Sequence, residues 1–422
     1  MMPKNESELL TQTGPGTPGG DLLRRYWQPA ALAEELPLHG ALLPVKLLGE
    51  DLVLFRDDSG WSGLLGLHCS HRGADLSYGR LEDGGLRCIY HGWLYDIHGR
   101  CLDQPGEPGG GEHRDQIRHP AYPCVERSGV IFAYLGPGAP PLLPGYEFLT
   151  APEDRVFAIK HFHECNYLQS NEGNIDPVHL SYLHRRLDGG NGRERSEDEA
   201  GESGGTQLVG RDVAPTTEVE ITDFGARIYT ARKILPDKYY LRVSNFILPN
   251  LSAFPAQTGS KGYSVNWHVP IDDTHHWKYV FVFNRETPLN KEAIRRARVE
   301  MTPDYRMVRN KSNRYLQDRE SMRAVTFSGI GFNFQAQDAC ATEGAGPVEN
   351  RTQEHLVSSD KAIVAARKLM LKAIQDIREG NDPPHVIRDA RRNSFPGLVV
   401  ISELLPISTD WKEYTRKVEE RP

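Results

Sequence analysis

The amino-acid sequence predicts an α+β protein in which a small all-β domain precedes a larger domain that mixes strands with helices. The first observation is that residues 30–136 contain short strand-forming runs separated by turn residues. The second is that longer strand-like runs and helical periodicity occur together after about residue 150. The third is a stretch rich in Gly and Pro at 136–145, where both regular structures are interrupted. The predicted domains are therefore 1–145, with an N-terminal extension at 1–30, and 146–422.

The individual elements follow from the local sequence. In the first domain the clearest strand-forming runs are 44–48, 51–56 and 129–135. In the second domain, alternating or continuous apolar residues predict strands at 217–233, 239–248, 263–269 and 276–284. Apolar residues at intervals of three and four predict a helix over 360–379, which Ser359 or Asp360 can cap and Gly380 ends. Residues 187–206 contain almost no apolar side chains, so we predict a long loop there.

Composition and charge exclude several classes of protein. The chain has 422 residues and a formal net charge of −7, which disfavours a protein that coats nucleic acid or an anionic membrane. It contains no run of about 18 apolar residues that could span a bilayer, and no N-terminal signal segment. Six Cys are too few for a disulfide scaffold. We therefore predict a cytoplasmic enzyme without nucleic-acid or membrane partners.

The strongest local signal is a pair of Cys and His motifs in the first domain. Cys69 and His71 are followed by Cys88 and His91, in the pattern Cys-x-His…Cys-x-x-His. Two thiolates and two neutral imidazoles are the ligands of a Rieske 2Fe–2S cluster, whose reduction potential the imidazoles raise. A structural zinc site also uses two Cys and two His, but zinc fingers keep their Cys together and their His together. The alternating order favours the 2Fe–2S cluster, with zinc as the alternative.

A second constellation lies near the start of the larger domain. Asp176, His179 and His184 have the spacing Asp-x2-His-x4-His. On a regular helix Asp176 and His179 would share a face, whereas His179 and His184 would be about 140° apart. Both imidazoles can therefore reach one metal only if the helix is broken or bulged between them. Two His and one carboxylate form the facial triad of Fe(II) enzymes that activate dioxygen. By itself, the motif is equally compatible with histidines that satisfy local hydrogen bonds.

Together these segments resemble the Rieske non-haem iron oxygenases, in particular the α subunits of the phthalate-dioxygenase-like branch. The segments that carry the resemblance are 14–18, 22–27, 69–101, 171–184, 269–273 and 350–356. The resemblance implies a helix-grip catalytic domain with a central antiparallel sheet. It also implies a Rieske 2Fe–2S cluster on Cys69, His71, Cys88 and His91, and a mononuclear Fe(II) on His179, His184 and a later carboxylate.

The same resemblance implies roles for two acidic residues. Asp176 matches the residue that bridges to a cluster His of a neighbouring subunit in this family, which implies a homo-oligomer, usually a homotrimer. Asp338 lies where phthalate-dioxygenase-like members place the carboxylate ligand of the iron. Glu343, Glu349 and Asp360 are the alternatives for that ligand.

The resemblance implies a terminal oxygenase that uses dioxygen to hydroxylate a small aromatic carboxylate similar to phthalate. The alternatives are an O-demethylase of methoxylated aromatic acids and a Rieske electron carrier without catalysis. The chain has no G-x-G-x-x-G between a strand and a helix, so NAD(P)H acts through a separate reductase, with or without a ferredoxin. A carboxylate substrate favours an Arg partner. We select Arg242 over Arg227 and Arg232, although each could also be a solvated charge on a strand.

Overall fold

Two β-rich units follow one another in the computed structural model, which describes residues 1–38, 40, 42–188, 208–255, 261–298 and 300–420. The strands of the first unit are β1 (Gln28–Leu32), β2 (Leu43–Leu47), β3 (Glu50–Arg56), β4 (Ser62–Gly66), β5 (Arg80–Glu82), β6 (Gly85–Arg87), β7 (Leu94–Tyr95), β8 (Cys101–Asp103), β9 (Ala121–Tyr122), β10 (Cys124–Arg127) and β11 (Val130–Ala133). They form three small antiparallel sheets with the orders β1-β11-β10, β2-β3-β4-β9 and β5-β6-β7-β8. The strand-forming runs of the sequence correspond to β2, β3 and β11.

The second unit is built on one large antiparallel sheet. Its strands are β12 (Val156–His163), β13 (Thr216–Ile221), β14 (Gly225–Leu235), β15 (Lys238–Ile247), β16 (Leu251–Pro255), β17 (Gly262–Pro270), β18 (His276–Asn284) and β19 (Ile401–Pro406). Their order is β12-β18-β17-β16-β15-β14-β13, and β19 pairs with β15. The predicted strand over 217–233 is in fact two strands. They are separated by residues 222–224, and the second strand begins at Gly225, where a Cβ would lie 2.3 Å from the carbonyl oxygen of Phe246.

Helices lie at the N-terminus and around the large sheet. Within the described residues they are α1 (Lys4–Thr11), α2 (Pro18–Arg24), α3 (Glu147–Thr150), α4 (Tyr167–Ile175), α5 (Lys291–Arg298), α6 (Ser321–Ala324), α7 (Phe334–Gly344), α8 (Lys361–Arg378) and α9 (Trp411–Glu419). The predicted helix over 360–379 is α8, which Gly380 ends with a φ of 82°. The carboxylate of Asp360 does not cap it, because it accepts a hydrogen bond from the Val357 amide instead.

The two units share one apolar core. The ring of Phe132 in β11 lies 5.3 Å from that of Trp267 in β17, and α8 packs its buried face against β13 and β14. The N-terminal helices also contact the second unit, since the Tyr167 hydroxyl donates to the Leu10 carbonyl at 2.9 Å. The predicted α+β fold class is confirmed. The domain boundary between 145 and 146 stays a prediction.

Two further expectations concern the rest of the chain. No helix in the described ranges is long and apolar enough to cross a membrane. The predicted loop at 187–206 lies outside the described residues, apart from Leu187 and Asp188.

Candidate cluster and metal sites

The two Cys and His loops of the first unit have the same backbone turn. The amide of Gly73 donates to the Cys69 carbonyl at 2.8 Å, and the amide of Gly92 donates to the Cys88 carbonyl at 3.0 Å. Both glycines have left-handed backbone, with φ of 73° and 77°, a conformation that residues with a Cβ rarely adopt. The Gly four positions after each Cys is therefore required by the turn that presents the Cys and His side chains.

These turns bring together the four residues predicted to bind the cluster. Cys69 and Cys88 are buried, and the rings of His71 and His91 lie 4.5 Å apart between centroids. Burial, together with the nearby thiol of Cys69, raises the pKa of the Cys88 thiol. Within the described chain, the buried Nδ1 of His71 has no hydrogen-bond partner. A lone nitrogen beside two buried thiols fits the donor set of a 2Fe–2S cluster.

Three further side chains surround the four candidate ligands. The Tyr95 hydroxyl lies 3.2 Å from Sγ of Cys69, and the Trp93 ring stacks on His71 at 4.5 Å. His119 lies 2.7 Å from the hydroxyl of Ser70. Trp93 and Tyr95 lie within four residues of His91, so the local sequence places them next to the cluster loop. His119 is distant in the sequence and reaches the site only through tertiary contacts.

The second unit brings His179, His184 and Asp338 together. Their potential ligand atoms all lie within 4.8 Å of one another. Oδ1 of Asp338 is 3.0 Å from Nε2 of His184 and 3.9 Å from Nε2 of His179. Two ligand atoms that each bind one metal at about 2.1 Å, at right angles, are about 3 Å apart. The three side chains therefore fit a facial metal site of two imidazoles and one carboxylate.

The backbone between the two histidines is broken, as the sequence required. Helix α4 ends at Ile175, and a short 3₁₀ turn follows at His179–Ser181. The expectation that Asp176 and His179 share a helical face is wrong, because Asp176 has extended backbone with a ψ of 118°. Pro177 explains this difference, since the residue before a proline is disfavoured in the helical conformation.

Hydrogen bonds orient both imidazoles. Nδ1 of His179 donates to the Asp176 carbonyl at 2.6 Å, and Nδ1 of His184 donates to Oε1 of Gln337 at 2.6 Å. The amide of Gln337 is itself held, because its Nε2 donates to the Gly331 carbonyl at 2.6 Å. Each imidazole therefore keeps Nε2 free for a metal. This role of Gln337 was not predicted from the sequence, although the residue directly precedes Asp338.

The carboxylate of Asp338 has a cationic neighbour on its other side. Nζ of the fully buried Lys278 lies 3.4 Å from Oδ2. Burial by itself would raise the pKa of Asp338, but His184 and Lys278 lower it, and the net shift is strongly downward. Burial and the nearby His184 lower the pKa of His179. The site thus favours a carboxylate anion and a neutral imidazole, which are the forms that bind metals.

The alternative carboxylates do not join this group among the described residues. Glu343 is buried and accepts a hydrogen bond from the Tyr315 hydroxyl. Glu349 lies 3.6 Å from Arg351, and Asp360 accepts from a backbone amide before α8. The carboxylate of Asp176 is a quarter exposed and lies 3.8 Å from Nδ1 of His179, so it lies at the edge of the site.

A cavity opens beside the three candidate metal ligands. Its lining includes Asp176, Thr230, Arg232, Ser244, Phe254 and Asn266, together with Arg242. Arg227 is not part of it, since its guanidinium donates to the Gly397 carbonyl at 2.6 Å and pairs with Glu419 at 3.2 Å. Of the three predicted arginines, two therefore reach the cavity.

The guanidinium of Arg232 is fully buried and incompletely bonded. Its Nη2 donates to the Pro177 carbonyl at 2.6 Å, whereas Nε and Nη1 have no partner among the described residues. Burial, with Arg242 close by, lowers the pKa of Arg232 to about 10. Arg242 donates to the Tyr240 hydroxyl at 3.4 Å. Free N–H groups on a buried cation are suited to an anionic ligand.

Family models match nearly the whole chain. A model described as Rieske [2Fe-2S] domain matches residues 26–122, and one described as LigXa C-terminal domain like matches residues 133–422. The first contains the paired Cys and His loops, and the second contains the candidate metal site and the cavity.

Curated relatives cover most of this chain and most of their own length. The phenoxybenzoate dioxygenase subunit alpha of Ectopseudomonas oleovorans is 35% identical over 91% of this chain and 88% of its own. The phthalate 4,5-dioxygenase oxygenase subunit of Pseudomonas putida is 32% identical over 98% and 95%. The 5,5'-dehydrodivanillate O-demethylase oxygenase subunit of a Sphingobium strain is 32% identical over 93% and 85%.

Solved structures share the fold at lower identity. The terminal oxygenase of carbazole 1,9a-dioxygenase from Nocardioides aromaticivorans is similar with a TM-score of 0.59 and 20% identity, over 88% of this chain and 98% of that one. The oxygenase in its reduced complex with ferredoxin is similar with a TM-score of 0.55 and 20% identity, over 91% and 93%. The order of a small β unit and a large antiparallel sheet is common to them.

Proposed function

This chain belongs to the phthalate-dioxygenase-like α subunits of the Rieske oxygenases, and on that premise we propose that it hydroxylates an aromatic carboxylate similar to phthalate. It is the terminal oxygenase component of an aromatic-ring dioxygenase or O-demethylase system. The specific substrate class rests on the cavity beside His179, His184 and Asp338.

The observation that carries the proposal is the pair of arginines in that cavity. Arg232 on β14 is opposite Tyr240 on β15, and Arg242 is opposite Thr230, so both guanidiniums project from the same face of the sheet. A buried cation with unused N–H groups is stabilised when an anion binds it. Arg binds carboxylates through two parallel hydrogen bonds. Arg242 adds a second, half-buried cation on the same face, and a pair of cations favours an aromatic ring that carries two carboxylates.

The predicted ligands take these roles in the proposal. Cys69, His71, Cys88 and His91 hold the 2Fe–2S cluster, and His179, His184 and Asp338 hold the mononuclear Fe(II). When bound, the cluster supplies electrons and the mononuclear iron supplies the open positions at which dioxygen is reduced. Gln337 and the Asp176 carbonyl orient the imidazoles, and the arginines hold the substrate ring beside the iron position.

Electron supply requires other chains. We assign to Asp176 the link between His179 and a cluster His of a neighbouring subunit, which requires a homo-oligomer and fits a homotrimer. Its carboxylate is partly exposed next to His179, as such a link demands. Reducing equivalents come from an NAD(P)H-dependent reductase, with or without a ferredoxin. The similarity to an oxygenase solved with its ferredoxin supports this partner.

Product analysis with labelled dioxygen tests the reaction. The purified chain, a reductase and NADH are incubated with phthalate, benzoate and methoxybenzoates, and we expect labelled oxygen in a hydroxylated phthalate-type product. Release of formaldehyde from a methoxybenzoate would instead identify the O-demethylase alternative. Reduction of the cluster without any product from an iron-loaded chain would indicate an electron carrier.

Arginine variants test the substrate class. Arg232→Ala and Arg242→Ala each remove one cation, and losing a charged contact of about 2 kcal/mol raises KM for the dicarboxylate roughly 30-fold. Arg227→Gln is the matched control, because Arg227 lies on β14 outside the cavity. We expect KM to be unchanged in this control. Equal KM values in all three variants would exclude the arginines as carboxylate partners.

A further inference from the structure

The two oxygens of the Asp338 carboxylate have different surroundings. Oδ1 faces His184 at 3.0 Å, on the side where both imidazoles present Nε2. Oδ2 lies 3.4 Å from Nζ of Lys278. The two oxygens therefore have different electrostatic partners. Oδ1 faces the candidate metal position, and Oδ2 faces the ammonium of Lys278.

The large sheet holds Lys278 firmly at this point. Strand β18 lies between β12 and β17, and Lys278 is directly opposite His161 on one side and His268 on the other. Its side chain is fully buried, so the ammonium cannot move into solvent. A charge at such a depth is stabilised by an opposite charge at close range. The contact with Asp338 is thus built into the register of three strands.

Helix α7 contains Asp338, and hydrogen bonds of two other residues of the helix hold it in place. Gln337 bonds both His184 and the Gly331 carbonyl. Oε1 of Glu343 accepts from the Glu164 amide at 3.1 Å. With both the helix and the strand anchored, the direction of the Asp338 carboxylate depends on which groups its two oxygens contact.

We propose that Lys278 is a positioning residue that holds Oδ2 of Asp338 away from the metal, so that Asp338 binds the iron through Oδ1 alone. A carboxylate can bind a metal through one oxygen or through both. Binding through both would occupy a position that an oxygen-activating iron site leaves open. The ammonium competes for Oδ2 through a charge-assisted contact and keeps that position available. This inference rests on the proposed iron site at His179, His184 and Asp338.

The test uses Lys278→Met with Co(II) in the mononuclear site, since cobalt is distinguished by X-ray absorption from the iron of the cluster. The carbon of a chelating carboxylate lies closer to the metal than that of a carboxylate bound through one oxygen. We expect this short cobalt–carbon distance in Lys278→Met and not in the unchanged protein. Turnover of the iron-loaded variant should fall roughly 10- to 100-fold. An unchanged cobalt–carbon distance would overturn the proposal.

Two variants separate positioning from general packing. Lys278→Arg keeps the cation and should retain the cobalt spectrum of the unchanged protein. Lys160→Met is the matched control, because Lys160 is also a buried lysine of this sheet, paired with Glu35 at 2.7 Å, but outside the site. It should leave the cobalt spectrum unchanged. If Lys278→Met does not fold, Lys278→Gln carries the same expectation, because a neutral amide holds Oδ2 more weakly.

His179→Ala distinguishes this inference from the proposed function. In one outcome, His179→Ala loses cobalt but the cobalt–carbon distance in Lys278→Met is unchanged. That outcome would overturn the role of Lys278 alone. Retention of cobalt with an unchanged spectrum in His179→Ala would overturn the metal site itself, and the role of Lys278 with it.

Discussion

Oδ1 of Asp338 lies 3.0 Å from Nε2 of His184, although strands β13 to β18 separate the two residues along the chain. His184 follows α4 at one end of that segment, and Asp338 lies on α7 at the other. The large sheet between them therefore positions the candidate metal site. Replacing any one ligand tests whether the three side chains bind one metal together.

Replacing His184 by Ala should remove the mononuclear iron without affecting the cluster. The Nε2 atom that faces Asp338 is lost, and two remaining donors bind Fe(II) too weakly to retain it. The iron content should fall by one iron per chain. The absorption of the 2Fe–2S cluster should stay unchanged, and turnover should stop. Loss of the cluster absorption would contradict the assignment of His184 to a separate site.

Replacing Gln337 by Leu should weaken iron binding without removing a ligand. The Nδ1–H of His184 then loses its acceptor, so the imidazole is no longer held in one orientation. We expect the affinity for Fe(II), measured by competition with a chelator, to fall roughly 10- to 100-fold. Gln337→Glu keeps an acceptor oxygen and should preserve most of the affinity. An equal loss of Fe(II) affinity in both variants would show that the acceptor oxygen at position 337 does not determine iron binding.

Replacing Cys88 by Ser should abolish the cluster. A serine hydroxyl replaces one of the two thiolates that the paired turns present, and the visible absorption of the 2Fe–2S group should disappear. Cys124→Ser is the matched control, because Cys124 lies in β10 of the same unit and its thiol contacts the Tyr122 carbonyl. That variant should keep its colour and its iron content. A coloured Cys88→Ser protein would refute the cluster assignment.

Replacing Asp176 by Asn should slow electron transfer and leave both metal sites filled. The amide has nearly the shape of the carboxylate but lacks its charge. We expect the iron content and the cluster spectrum to be unchanged, whereas oxidation of the reduced cluster during a single turnover becomes at least roughly tenfold slower, a change of about 1.4 kcal/mol in the barrier. An unchanged rate would exclude Asp176 as the link between subunits.

Acid should destabilise the protein partly through His385. Burial lowers the pKa of His385 to about 4, whereas the pKa of an unfolded histidine is about 6.5. Between these pH values the unfolded chain binds a proton that the folded chain does not, so the free energy of unfolding decreases as the pH falls. The contribution of this one residue is at most about 3 kcal/mol. It is present in full near pH 7 and is lost as the pH approaches 4.

Thermal unfolding of His385→Gln checks this expectation. The Tm of the variant should fall less than that of the unchanged protein when the pH is lowered from about 7 to about 5. His98→Gln is the control, because His98 is exposed, and it should show the pH dependence of the unchanged protein. The same dependence in all three proteins would remove His385 as the cause.

Local sequence predicted several elements well. The predicted family and fold class are confirmed, and α8 begins and ends within a residue or so of its predicted limits. Strands β16 and β19 were missed, because they are short and are defined by pairing with β15, which depends on distant parts of the chain. The same reason explains why His119 and Lys278 were not recognised, since neither belongs to a local motif.

By itself the sequence determined the paired cluster loops, the need for a break between His179 and His184, and the order of a β unit before a larger mixed unit. These features depend on residues only a few positions apart, whose backbone conformations and shared faces follow from local rules. Only the tertiary structure decided that Asp338, and not Glu343, faces the two histidines. It also decided that Arg232 and Arg242 line the cavity whereas Arg227 does not. The contact between Lys278 and Asp338 likewise depends on the tertiary structure. Those contacts arise from strand register and from the packing of α7 against α4, which bring together residues far apart in the sequence.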